Sequence, residues 1–173
     1  MTYGAVAEEA GLPEATLRAF FQTRDELRAL GLEFMLNGWV QQAKEFIARL
    51  PPEQLSITET ARLIVEVATV HDAENWTFTR ATISGIYERY LQAGRHPELR
   101  AVITSYNDVL ADLIARVLSL NGRAATEQGV KAVLAVVDGT VVYQLAAGQS
   151  PVPQAISLLE FAIPRLCAEN PAP

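Results

Sequence analysis

Apolar residues recur at spacings of three and four along nearly the whole chain, and the two-residue alternation of a half-buried strand is almost absent. The first spacing is that of an α-helix laid against a core, so the chain is restricted to an all-α fold. Glycine, proline and capping residues then divide it. A short helix from Thr2 to Ala10 ends at Gly11, and Pro13 suits the first turn of a second helix that runs to about Phe21. Thr23 caps a long third helix, with Asp25 and Glu26 in the turn where the dipole favours acids, and Pro51-Pro52 stops it. Ser56 followed by Glu59 is a capping box opening a helix to about His71. Further helices are expected up to Gly94, from Pro97 to the Asn121-Gly122 turn, from Thr126 to Gly148, and from Ala155 to about Ala168 with a kink or early end at Pro164. Gln149 to Pro153 is expected as a loop.

Composition narrows the function. The length of 173 residues suits one compact domain or a small module joined to a larger one, and half of the residues are hydrophobic, enough for a sizeable core. The net charge of −6 gives no global attraction to nucleic acid, so any such binding must come from a local patch. Arg outnumbers Lys by 12 to 2, which with the high alanine content points to a GC-rich bacterial genome. The single cysteine, Cys167, allows no disulfide framework and suits a reducing cytoplasm. Val130 to Ala147 is the most apolar stretch, but Asp138, Gly139 and Gln144 interrupt it; it reads as a buried helix rather than a membrane span. With no leader pattern at Met1, the expectation is a cytoplasmic protein without a membrane partner.

Two short helices joined by a tight glycine turn, with small residues inside, fit a helix-turn-helix. Ala5, Ala7, Ala10 and Gly11 let two helices cross closely, Val6, Leu12 and Leu17 can form a small core, and the helix from Pro13 to Phe21 would lie in the major groove. On periodicity alone, a plain helical hairpin in a bundle is the stronger reading.

The residues themselves shift that balance. Val6-Ala7, Ala10-Gly11, Leu17, Phe21 and Thr23-Arg24-Asp25-Glu26-Leu27 stand in ungapped register, over about 26 residues from Thr2, with a known signature. The segment resembles the DNA-binding motif of tetracycline-repressor (TetR) family regulators. His96-Pro97-Glu98-Leu99-Arg100 resembles the family's entry into a long pocket helix, and Val136 to Leu145 its penultimate, dimer-forming helix. The resemblance implies a partial helix-turn-helix over residues 1–26 and a ligand-binding and dimerisation bundle over residues 27–173. It implies that Thr2 caps a helix and meets the DNA backbone, and that Arg24 stands for a phosphate-contacting Lys. Glu14, Ala15, Thr16 and Ala19 occupy the groove-facing part of the recognition helix, where small residues can approach thymine methyls. Phe20 completes that surface.

The segment departs from the family pattern at several points. Arg18 stands where the family usually has Tyr, though it could reach a phosphate itself. Pro13 replaces a capping Ser. Glu14 puts an acid near the groove; it can accept from a cytosine amino group, but a solvent-facing residue placed by the helix dipole is the plainer reading. The family has another helix before this motif, and here Met1 precedes Thr2 directly, so the expectation is either a wrongly chosen start codon or a true truncation with DNA binding lost. Binding to a double-stranded operator is expected only where that helix is present.

The resemblance also places a small-molecule pocket among the long helices, for which Trp39, His71, Trp76, Phe78, Tyr87, Tyr90, Tyr106, Asn107 and Tyr143 are candidates. Aromatics at helical spacing are more often core than ligand contacts, and His71 near a helix end and His96 before Pro97 read more simply as a surface group and a loop residue. A homodimer is expected through the last two helices, at Val130, Val133, Leu134, Val137, Gly139, Val141, Leu145, Ile156, Leu159 and Ile163, because that much apolar surface asks for a partner. There is no Gly-rich phosphate loop, no paired-Cys pattern, no histidine pair at ligand spacing and no nucleophile signature. Neither an enzyme, a cofactor nor a metal is expected. The function that follows is a repressor released from its operator by a small apolar or aromatic molecule; the alternative is a helical homodimer that binds a small molecule or protein and has left DNA.

Overall fold

A computed structural model describes residues 2–50, 55–69 and 80–169, and the regular structure among them is entirely helical. The helices are α1 (Tyr3–Ala10), α2 (Glu14–Phe20), α3 (Arg24–Ala48), α4 (Ile57–Ala68), α5 (Arg80–Ala93), α6 (Pro97–Leu120), α7 (Glu127–Ala146) and α8 (Val152–Leu166).

Local chemistry accounts for most of the boundaries. Thr23 and Ser56 each close a full capping box, with Glu26 and Glu59 returning the bond to the cap backbone. Thr126 caps α7 by accepting from the Gly129 N–H at 3.1 Å. Gly11 ends α1 at φ 63°, a left-handed conformation that a side chain would disfavour, and its N–H and that of Leu12 satisfy the last carbonyls of α1. The last helix differs from expectation. It starts at Val152 rather than Ala155, with Pro153 in its first turn, where the missing N–H would have had no partner anyway. It also runs through Pro164 to Leu166, within about a turn of its end.

Two apolar clusters result. The large one is built from α3, α4, α6, α7 and α8, and Ile64, Ile114, Val117, Leu118, Val133, Val137, Val141, Leu159 and Ile163 are fully buried in it. The small one holds Tyr3, Ala7, Leu17 and Leu27, with Val6 and Phe21 packed against it. Leu12, expected there, is exposed instead. Tyr3 takes its place, and its hydroxyl donates to the Phe21 carbonyl at 3.1 Å, tying the start of α1 to the end of α2.

By length and composition α7 is the one helix among the described residues that could cross a membrane. Its inward residues Val133, Val137 and Val141 are nevertheless spent on the bundle core.

Candidate functional site

The aromatic candidates separate into three groups. Tyr87, Tyr90, Tyr106 and Asn107 come together where α5 meets α6 and α7. Tyr90 donates its hydroxyl to Asn107 Oδ1 at 2.7 Å, and Tyr87 donates to Asp138 Oδ1 at 2.8 Å. The Tyr87 and Tyr90 ring centroids are 6.1 Å apart and tilted by 31°. Tyr106 is buried against the core, and Trp39 of α3 is half-buried against the same core. Tyr143 lies elsewhere: it is 73% exposed on the outer side of α7, so its assignment to a pocket is corrected. Two residues of helix, about 200°, separate its direction from that of the inward-pointing Val141. His71, Trp76 and Phe78 lie outside the described residues.

Asp138 is the residue that periodicity missed. It figured as an interruption of an apolar run, yet it is the acid that receives Tyr87. Burial raises its carboxyl above the ordinary 3.8, against the lowering effect of the Tyr87 hydrogen bond. The residue keeps a solvent-open edge while Oδ1 turns toward Tyr87. Burial, reinforced by the Asp138 charge, pushes the Tyr106 hydroxyl up to about 12 and raises Tyr87 and Tyr90 further. All three phenols are therefore neutral donors at physiological pH. Gln144, on the same helix, buries its Oε1 with no hydrogen-bond partner among the described residues.

The raised carboxyl gives a signed expectation. The fold disfavours ionised Asp138, a cost absent below its ordinary pKa and complete above the raised one. Asp138→Asn keeps an acceptor for Tyr87 and removes the charge. It should melt higher than the wild type at pH 7, with the gain shrinking as pH falls toward 4. A lower melting temperature at pH 7 would mean that the ionised form is the favoured one.

The DNA-facing candidates all lie on α1, α2 and the start of α3. Thr2 is exposed and caps α1 by accepting from the Ala5 N–H at 3.3 Å. Glu14, Ala15, Ala19 and Phe20 face outward from α2, and Thr16 is half-buried. Arg18 is engaged twice within the protomer, to Glu14 at 2.6 Å and over the Tyr3 ring at 4.7 Å. Arg24 is exposed and makes no ion pair among the described residues.

The proposed dimer residues need the largest correction. Val133, Val137, Val141, Leu159 and Ile163 are completely buried inside the protomer, and Val130 nearly so, because α7 and α8 turn their regular apolar faces to each other and to α4 and α6. Leu134, Leu145 and Ile156 are half-buried at the rim of that core. Only Gly139 stands open, with nothing within 4 Å of where a Cβ would sit. Other positions of the two helices are exposed: on α7, Ala135, Gly139, Val142 and Ala146 form a stripe at spacings of four, three and four, and Tyr143, Leu158 and Phe161 are exposed as well.

With this geometry in hand, residues 55–165 match the family model of the tetracyclin repressor-like C-terminal domain. The chain belongs to the tetracycline-repressor-like family. No curated protein and no solved structure matches it. The matched region runs from the cap of α4 almost to the end of α8. It therefore takes in the tyrosine cluster, Asp138 and both helices of the outer stripe, and the all-α bundle is the one the family calls for. The family is one of ligand-responsive transcription regulators. Helices α1 and α2 precede the matched residues.

One further grouping was not visible in the sequence. Asp25 in the first turn of α3, and His96 and Glu98 at the start of α6, bring one ligand-type atom each within 4.8 Å of one another. Asp25 had a sufficient explanation in the helix dipole and His96 in the loop before Pro97. Only the crossing of α3 and α6 unites them.

Proposed function

We propose that this chain is a ligand-responsive, DNA-binding transcriptional regulator, a homodimeric repressor released from its operator by a small apolar or aromatic molecule. The observation that carries the reading is the cluster of Tyr87, Tyr90, Tyr106, Asn107 and Asp138 within the family-matched bundle. Aromatic walls with a few convergent polar groups are the composition of a small-molecule site. Residues 1–26 supply the DNA-binding head in this proposal and residues 27–173 the effector and dimer module. The two recognition helices of a dimer sit one DNA turn apart, roughly 34 Å, and the effector favours a tilt of α3 at which that spacing fails. The coupling equals the difference in effector affinity between the two states.

The head has apolar surface to cover. Phe20 is 78% exposed and Leu12 is exposed as well, and on α3 Leu30 and Phe34 are also exposed. A second reading has its own support: Glu8, Glu9 and Glu14 are exposed around the head, and Glu14 neutralises Arg18. That balance suits a helical homodimer that binds a small molecule or protein and not DNA.

One experiment separates them. Compounds are first screened by thermal shift, where a ligand at 100 times its dissociation constant adds about 2.7 kcal/mol. The protein is then titrated on its flanking promoter DNA at fixed salt, with and without each stabilising compound. Sequence-specific binding reversed by an apolar or aromatic compound is the expected result. Stabilisation by such compounds with no DNA binding would give the second reading, and stabilisation by nucleotides alone would remove the effector proposal.

A further inference from the structure

We propose that Asp25, His96 and Glu98 form a site for a first-row divalent transition-metal ion that ties the first turn of α3 to the first turn of α6. The acids alone carry no such inference, since acids are favoured in the first turn of any helix. His96 and the set of distances carry it. His96 occupies the cap position of α6, yet its side chain makes no capping bond. Its Nδ1 lies 3.6 Å from Asp25 Oδ2, too far for a good hydrogen bond. It is close to the edge of a tetrahedron around an ion with nitrogen and oxygen ligands at about 2.0–2.2 Å, which is roughly 3.4 Å. The other Asp25 oxygen is already held: Arg28 Nη1 donates to Oδ1 at 2.8 Å. That bond fixes the carboxylate with Oδ2 turned to the imidazole, the arrangement in which an outer partner orients a ligating group. Both Asp25 and His96 are about one-third exposed, shielded enough to hold a ligand geometry and open enough for an ion to enter. Glu98 is exposed and can turn its carboxylate inward, completing three protein ligands and leaving a position for water.

One imidazole nitrogen with two carboxylates selects zinc, cobalt, nickel or manganese over magnesium or calcium, which take oxygen sets. The ion would bridge helices that pack along much of their length, at the end where α3 leaves the DNA-binding head. Its consequence for operator affinity rests on the function proposed above; the site itself does not.

The test uses the purified full chain. Zinc is titrated by calorimetry, and cobalt by its visible absorption, against wild type, His96→Ala, Glu98→Gln and Arg28→Ala. One ion per protomer is expected for wild type. His96→Ala should abolish the cobalt spectrum. Glu98→Gln, an exposed change that leaves the fold intact by circular dichroism, should weaken binding at least tenfold, and Arg28→Ala by about 10–100-fold. Wild-type affinity in both His96→Ala and Glu98→Gln, or no saturable binding to wild type at zinc far above the protein concentration, would overturn the site. Neither readout involves DNA or an organic effector, so loss of the metal site and failure of the regulator reading are distinguishable.

Discussion

Phe161→Glu is expected to turn a dimer into a monomer that keeps its helical content and melts cooperatively. Phe161 is 61% exposed on α8, with the Arg165 guanidinium stacked 3.7 Å above its ring centroid, so the protomer core does not depend on it. The proposed dimer face joins it to the exposed Ala135–Gly139–Val142–Ala146 stripe of α7, where small residues at helical spacing let two helices approach closely. In a two-fold dimer each substitution acts twice. Burying a Phe side chain contributes about 1.5–3 kcal/mol, so the pair accounts for about 3–6 kcal/mol before the cost of two buried carboxylates. That weakens association by roughly a hundredfold to ten-thousandfold. Sedimentation or light scattering across micromolar concentrations reads it directly. A wild type that is monomeric there, or a Phe161→Glu dimer of unchanged affinity, would remove the α7–α8 face from the proposal. Val141→Arg cannot make the same distinction. Val141 is fully buried among α7, α8 and their neighbours, and an unpaired charge there unfolds the protomer whether or not it dimerises.

The difference between Phe161 and Val141 shows what the sequence could and could not convey. Helix existence was legible nearly everywhere, because capping residues and the apolar period act within one turn of chain. Thr23 with Glu26 and Ser56 with Glu59 closed as their spacing predicts. Which side of an apolar helix meets its own bundle is a tertiary fact. In α7 valines are so dense that several faces look equally suited to burial, and only the positions of α6 and α8 show that Val133, Val137 and Val141 are interior. The tyrosine site was half legible for the same reason. Tyr87, Tyr90, Tyr106 and Asn107 are legible as residue types, whereas Asp138 reads as an interruption of an apolar run, although a lone acid in so apolar a helix needs a partner. Tyr143 is not separable from them in the sequence, because a ring on an apolar helix looks alike whether it faces in or out.

Arg24→Ala should weaken operator binding by roughly a hundredfold and flatten its salt dependence, while Arg18→Ala does much less. Arg18 lies on α2, the proposed recognition helix, and Arg24 follows it at the start of α3, and sequence alone gives them similar weight. The structure separates them. Arg18 is held by Glu14 at 2.6 Å and spread over Tyr3, so bringing it to a phosphate breaks an existing pair and leaves an acid facing the DNA. Arg24 is exposed at the start of α3, makes no ion pair among the described residues, and sits where the positive end of the helix also points at an anion. A hydrogen bond to a charged group contributes about 1.5 kcal/mol or more, and a dimer makes two, which gives the hundredfold. Two lost phosphate contacts reduce the slope of log K against log salt by about 1.8. Glu14→Gln supplies the converse: it removes an acid from the groove side and frees Arg18, so affinity should rise across sequences and the slope should steepen. Titrations on the same promoter fragment at several salt concentrations measure all three variants. If Arg24→Ala left both affinity and slope unchanged while Arg18→Ala lowered them, the Glu14 pair would be breaking on DNA, and Arg18 would be the head's phosphate anchor.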